Sequence, residues 1–386
     1  MLTRITGARI ITPNDVLQGC DLYILDGVIH RITPEVLEAD VVIDAQNQYV
    51  CPGFVDIHVH GGDGFEFIDA TAEAVIAAAN IHGRHGTTTI FPTLSAYSED
   101  DTCRAMEAIR QCMNAEELLA HIGGVHLEGP YFSVKQAGAQ DPQYIRDPDP
   151  EEYRRLICRF GDLIRRWSYA PEKQGAEAFQ QFLREKGIVG AVAHSDAEYE
   201  HVKSVYDLGC HLVTHLYSGT STITRKGGFR HLGVIESAYL LDGMDVETIA
   251  DGCHLPPLLL QLVFKLKGRE RMCLVTDAIR FGGRTDCNST LSGTASVPYI
   301  IEDGVAKLAD RSAFAGSIAT MDMLVRVCVQ RADISLVDAV YMATAVPARI
   351  MGLTNKGRLE EGMDADLVML DPDLQVRQVF VSGKMI

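Results

Sequence analysis

Basic residues are in the minority, long apolar runs are missing, and paired cysteines are absent. Lysine and arginine number 35 against 52 aspartates and glutamates, a formal net charge of −17. This sets nucleic acid aside as a main partner, because binding a phosphate backbone needs a basic surface. A small anionic ligand is still allowed. Screening at physiological salt acts over ~8 Å, so charges lining a pocket matter more than the total. No stretch of ~20 apolar residues occurs, which argues against a membrane-spanning helix. The opening residues, MLTRITGARIITPND, lack the basic start, long apolar stretch and cleavage site of a secretory leader, so a cytoplasmic location is expected. Ten cysteines are scattered without a CxxC pair or a repeating interval and read as reduced core thiols. Also lacking are a GxGxxG phosphate loop, any short repeat and any low-complexity tract.

What is present is β-structure at both ends and alternation between them. The chain has 386 residues, 47% of them hydrophobic, enough for one large domain and a smaller one. In DLYILDGVIHRI, two apolar runs flank Asp26-Gly27, a hairpin turn signal. ADLVMLD and QVFVSGKMI repeat the pattern at the other end, with Ser382-Gly383 as the turn. Residues 1–51 and 353–386 are therefore expected to pair into one small β-domain, interrupted by residues 52–352. The long middle alternates short apolar strands with helical stretches. The expected strands are 54–59, 88–93, 122–127, 166–170, 189–194, 211–216, 247–252 and 273–278. Eight such units predict a (β/α)8 barrel. A doubly wound sheet is the rival, but HGGDGFEF after the first strand is not its phosphate loop. Residues 298–314 read as a hairpin inserted between the last strand and its helix.

The chemistry lies in what ends each strand. His58 and His60 close the first, and Glu128 follows the third in HLEGPYF. His194 ends the fifth and His215 sits at the end of the sixth. His254 follows the seventh in DGCH, and Asp277 ends the eighth in VTDA. Side chains alternate along a strand, so residues 58 and 60 point the same way. In a barrel these positions crowd onto the carboxyl-terminal face, where active sites of this architecture lie. Imidazole and carboxylate are natural ligands for zinc or ferrous iron. An HxH pair alone is weak evidence, and a lone histidine is more often a satisfied core residue. Six strand ends sharing one register is a stronger signal, since burying such groups unpaired costs several kcal/mol each. His82 and His85, in HGRHG, read as helix-end caps on preceding carbonyls. His126 reads as packing behind Glu128. His30, His121, His201, His211 and His231 read as structural or exposed.

Together, PGFVDIHVHG, HLEGP, AHS, THLY, DGCH, VTDA, AGS followed by TMD, and GRLEEGMDADLVMLD resemble the amidohydrolase superfamily. More narrowly, HLEGPYF with AGAQDPQYI just after it is similar to the N-acetylglucosamine-6-phosphate deacetylase family. The resemblance runs nearly the full length and implies a metal-bearing barrel with a β-sandwich made from both chain ends. Carried over by motif, Glu128, His194 and His215 would hold the main divalent metal, zinc or else iron. His58 and His60 would hold a second ion or assist at a binuclear site. Asp277 would be the catalytic aspartate and His254 a contact to the sugar or its acyl group. Arg225, in TITRKGGFR, lies near the family's phosphate-binding arginine, often supplied by the neighbouring subunit, so a homodimer is implied. Three departures bear on the sugar phosphate. Ser218-Gly219 replaces the asparagine-alanine pair that helps hold phosphate, the spacing to Arg225 is one residue short, and Gln140 stands where some members place histidine.

The implied reaction is metal-assisted hydrolysis of an acetamide, with acetate and an amino sugar phosphate as products. Arg225, Lys226 and Arg230 lie within six residues on an otherwise acidic chain, and arginine holds phosphate oxygens through paired bonds. A solvated basic loop is the plainer reading of that cluster. N-acetylgalactosamine-6-phosphate is the alternative substrate. A cyclic-amide hydrolase is a further alternative, but its carboxylated lysine should end the fourth strand, and Lys173 comes too late. A non-catalytic barrel scaffold would be expected to have lost ligands that are all present here.

Overall fold

The computed structural model describes residues 1–294 and 296–386. Eight parallel strands form the central barrel: Phe54–Val59, Thr87–Leu94, Val125–Glu128, Ile164–Tyr169, Val189–Val192, Leu212–Val213, Asp245–Thr248 and Met272–Leu274. Each pairs in parallel with its neighbour, and the short segment His121–Ile122 adds to the second strand. Every residue of the first two strands is buried, the near-continuous pattern of parallel strands covered on both faces. The last strand meets the first without a regular ladder. The Asp277 N–H donates to the His58 carbonyl at 2.8 Å, and the Thr276 hydroxyl donates to Asp56 at 2.5 Å. These bonds close the ring that a doubly wound sheet would leave open.

Helices surround the barrel, and side chains start several of them. Thr71 accepts from the Ala74 N–H, Ser98 from Asp101, Asp149 from Glu151 and Ser335 from Asp338. Each satisfies one of the donors a helix N-terminus leaves free.

Two sheets come from the chain ends. One has the order Val28–Thr33, Asp21–Leu25, Leu2–Thr6, Val41–Asp44. The other runs Lys384–Met385, Val376–Val381, Leu367–Leu370, Tyr49–Pro52, Arg9–Ile11, Val16–Leu17. Ile5, Leu22 and Ile24 of the first share a buried core with Ile10, Val50, Leu367 and Phe380 of the second. Both expected turns are present. Asp26 and Gly27 both have positive φ, as do Ser382 and Gly383, the geometry a two-residue hairpin loop requires. The inserted hairpin is also there, as Pro298–Glu302 against Val305–Leu308 with Leu291–Gly293 alongside.

Two expectations need correction. The fifth, sixth, seventh and eighth strands end at Val192, Val213, Thr248 and Leu274, before the expected His194, Leu216, Gly252 and Ala278, so Asp277 lies past its strand. The chain turns left-handed at His194 (φ +43°) and His215 (φ +28°), which breaks the ladder and re-aims both imidazoles. His82 and His85 do not cap their own helix through their rings. His82 is buried with Nε2 2.9 Å from the Gly61 carbonyl, and His85 pairs with Asp322.

One buried aromatic links this packing to the site. Trp167 lies parallel to Tyr131 and edge-on to Phe179, and its indole N–H donates to the Gly129 carbonyl at 2.8 Å, one residue beyond Glu128. Trp167→Ala is expected to cost about 3–5 kcal/mol. A lower midpoint in urea, followed by circular dichroism, is the check.

Candidate metal centre and active site

Side chains from the ends of five barrel strands converge, two of them from the first. Glu128 Oε1 lies 2.9 Å from His215 Nε2 and 3.1 Å from His194 Nε2. His60 Nε2 lies 3.3 Å from Glu128 Oε2 and 3.1 Å from Asp277 Oδ1. His58 Nε2 lies 3.5 Å from Glu128 and 3.4 Å from Asp277. Two overlapping groups emerge, His58–His60–Asp277 and His58–Glu128–His215, each with donor atoms within 4.8 Å of one another. His194, His215 and Asp277 (φ +47°) all adopt the left-handed conformation. Each such residue costs of order 1–3 kcal/mol, and such outliers gather where function demands them.

The ring nitrogens are oriented from behind. His194 Nδ1 lies 2.8 Å from the Gln136 carbonyl, so it donates there and leaves Nε2 facing Glu128. Ser95 meets His60 Nδ1 at 3.2 Å. His58 Nδ1 lies 3.2 Å from Glu247, whose carboxylate can only accept. The Nε2 atoms of His58 and His60 then face each other at 3.2 Å.

The electrostatics ask for positive charge at that point. Burial lowers the His58 imidazole, but Glu128 and Asp277 outweigh it and push it up to about 10. Burial likewise opposes His60, and bonds to Asp277 and Glu128 raise it to about 9. Burial works against ionising Asp277, yet His58 and His60 hold it down at about 2. Glu128 lies well below the usual carboxylate range, because His58, His194 and His215 overcome its burial. A divalent cation fits this donor set. Nitrogen and oxygen donors on a tetrahedral ion, at ~2.0–2.1 Å, lie roughly 3.3 Å apart, and the nitrogen–oxygen contacts of the cluster span 2.9–3.5 Å. The Nδ1 atom of His215 is buried and has no hydrogen-bond partner among the described residues.

The cluster opens into a cavity of about 1190 Å³. His254 lines it, with Nδ1 held at 2.7 Å by Asp251, leaving Nε2 for a bound molecule. Ser218 and Gly219 line it too. Gln140 reaches the cavity, but its amide donates to Glu128 at 2.7 Å and its carbonyl accepts from the Ala96 N–H at 2.8 Å. Arg225 stands elsewhere, on the exposed hairpin Thr224–Lys226 and Phe229–His231, and does not line the cavity of its own chain. Arg280, Lys307 and Arg311 do line it, each paired with an acid: Arg280 with Glu66, and the other two with Glu302. Lys173 pairs with Asp147, outside the cavity wall. His126 is buried edge-on against His58 and bonds Ser168.

Sequence reasoning missed Arg166, Glu247 and Asp251. The last was legible as the acid three residues before His254 in DGCH. Arg166 and Glu247 sit in strands where a charged residue ordinarily reads as solvent-facing.

Residues 49–386 match the amidohydrolase family. The chain belongs to it. It is 33% identical to the N-acetylglucosamine-6-phosphate deacetylase of Lysinibacillus sphaericus over 370 residues, covering 94% of this chain and 92% of that one. It is 30% identical to the N-acetylgalactosamine-6-phosphate deacetylase of Escherichia coli O157:H7 over 379 residues, 98% and 97% of the two chains. Among solved structures, N-acetyl-D-glucosamine-6-phosphate deacetylase of Mycobacterium smegmatis in complex with N-acetyl-D-glucosamine-6-phosphate superposes with a TM-score of 0.89. The identity is 31%, over 100% of this chain and 98% of that one. As an amidohydrolase, the protein is a hydrolase of carbon–nitrogen bonds that uses a divalent metal.

One glycine of this amidohydrolase has no room to change. Gly219 has φ +54°, and a Cβ there would lie 2.7 Å from His194 Nδ1 and 3.0 Å from the Gln136 carbonyl. Gly219→Ala is expected to displace His194 and weaken metal binding by about 10–100-fold. Gly187→Ala is the control, since Gly187 also has positive φ but nothing within 4 Å. Zinc affinity measured by competition with a chromophoric chelator distinguishes the two.

Proposed function

We propose that this amidohydrolase hydrolyses the acetamide of N-acetylglucosamine-6-phosphate, releasing acetate and glucosamine-6-phosphate. The observation that carries the reading is the convergence of His60, Glu128, His194, His215 and Asp277 at the floor of one cavity, with His58 buried directly behind them. The deacetylases it resembles nearly end to end supply the substrate class. Zinc is the metal of choice, with iron second. Glu128, His194 and His215 hold one ion, and His58 with His60 holds a second. A bound divalent ion would lower the pKa of a water from ~16 towards ~7 and polarise the acetyl carbonyl.

The chain's own residues do the rest. Asp277 is ionised and faces the cluster, so it accepts the water's proton. It then gives that proton to the amine nitrogen as the C–N bond breaks, and one carboxylate serves both steps because they are sequential. His254, steadied by Asp251, binds a sugar hydroxyl or the acyl oxygen through Nε2. Gln140 acts by orienting Glu128 and shielding the cavity wall. The Ser218 hydroxyl and the Gly219 backbone N–H are the donors this turn offers to the phosphate, the Ser218 N–H being taken by the His215 carbonyl. Arg225 is exposed and outside the lining of its own cavity, which suits delivery to the neighbouring subunit of a homodimer. Residues 1–51 and 353–386 make a supporting domain and residues 52–352 the catalytic one. The protein works in the cytoplasm.

Acetate release from a panel of substrates tests the assignment. N-acetylglucosamine-6-phosphate is expected to give the highest kcat/KM, above N-acetylgalactosamine-6-phosphate and unphosphorylated N-acetylglucosamine. Equal values with and without phosphate would discard the phosphate site. Asp277→Asn is expected to keep metal at Glu128, His194 and His215 while kcat falls by about 10²–10⁴-fold, and near-normal turnover would reject the role. Arg225→Ala is expected to raise KM for the phosphorylated sugar about tenfold or more, through loss of a bidentate phosphate contact, with the unphosphorylated sugar unaffected.

A further inference from the structure

Beneath the cluster lies a charge pair that the hydrolysis does not use. Arg166 in the fourth strand and Glu247 in the seventh bond each other across the barrel interior, both fully buried. Arg166 also donates to the Ile57 carbonyl at 3.1 Å and to the Thr214 hydroxyl at 2.8 Å, so strands one, four, six and seven meet on one guanidinium. The second carboxylate oxygen of Glu247 accepts twice, from His58 Nδ1–H and from the His215 backbone N–H, both at 3.2 Å. Burying such a pair is often no more stabilising than apolar residues of the same size. Its place in the barrel therefore asks for another role.

Glu247 is not a candidate ligand. It lies on the Nδ1 side of His58, and both its oxygens are taken by donors. His126 packs edge-on against His58 but bonds Ser168 and Thr93. Glu247 is the partner of His58 Nδ1 among the described residues. We propose that Glu247, locked by Arg166, is a positioning residue that fixes His58 with its Nε2 lone pair aimed at His60 and Asp277, and so sets the affinity of the second ion. The same oxygen holds the His215 backbone, which ties the two halves of the centre together. A buried acceptor behind a ligating histidine fixes its tautomer and raises its basicity. This inference rests on the two-ion reading above.

Metal content of the full-length protein tests it, counted after dialysis and titrated with Co²⁺ by visible absorption. Two double variants remove the ion pair and differ only in the acceptor. Arg166→Met with Glu247→Gln keeps an oxygen for His58 Nδ1–H and is expected to bind the second equivalent within a few-fold of wild type. Arg166→Met with Glu247→Leu removes that oxygen and is expected to bind it about 10–100-fold more weakly, the first equivalent losing less, because His215 gives up only the acceptor of its backbone N–H. Glu247→Asp keeps the charge pair but draws the carboxylate back from His58. It is expected to show the same selective loss and serves if the leucine variant does not fold. Wild-type affinity for both equivalents in folded Glu247→Asp or in the folded leucine variant would overturn the proposal. A wild-type protein that holds a single ion would instead overturn the two-ion reading, and the proposal with it.

Discussion

The barrel exists as a site because its last strand closes onto its first. The bond from the Asp277 N–H to the His58 carbonyl joins them at the point where both side chains turn inward. The His60 and Gly61 N–H groups then donate to the Ala278 carbonyl, at 2.8 and 2.9 Å, and carry the closure past the strand ends. Residues more than two hundred positions apart thereby become neighbours. Without that seam the ligating groups would lie along an open sheet, with no common centre.

Closure also explains why polar groups are tolerated so deep. The floor beneath the cluster is a connected set: Asp56 with Thr276, Glu247 with Arg166, and His126 with Ser168 and Thr93. A buried polar network is stable when its members are satisfied and costly otherwise. Most polar atoms of this floor are paired; among the described residues Arg166 Nε within it and His215 Nδ1 above it have no hydrogen-bond partner. The interior thus changes from the Arg166–Glu247 pair at mid-barrel to two carboxylates, Glu128 and Asp277, that draw positive charge onto the imidazoles at the mouth, and a cation there serves the same need.

Much of this was legible in the sequence, for identifiable reasons. Alternating strands and helices pointed to the barrel, because eight apolar strands separated by helices have few other ways to bury themselves. The ligands were legible because imidazoles and acids after apolar runs are conspicuous. Turn dipeptides such as Asp26-Gly27 marked the hairpins, since positive φ is chemically restricted. What escaped notice depends on long-range placement. Arg166 and Glu247 lie in RRWSY and DVET, where nothing local says the charge points inward to a partner 81 residues away. Gln140, standing where some members place histidine, gave no local sign that its amide would face Glu128. The left-handed turns at His194 and His215 were hidden too, because histidine carries no backbone signal as glycine does.

Those turns have a consequence for how the protein can change. Three functional side chains sit on backbone that resists any residue with a Cβ, at of order 1–3 kcal/mol apiece. Glycine would relax each of these positions while erasing the group the chemistry requires. Thermostability and activity are thus set against each other at His194, His215 and Asp277. Random drift towards a sturdier protein would find its easiest gains by dismantling the enzyme.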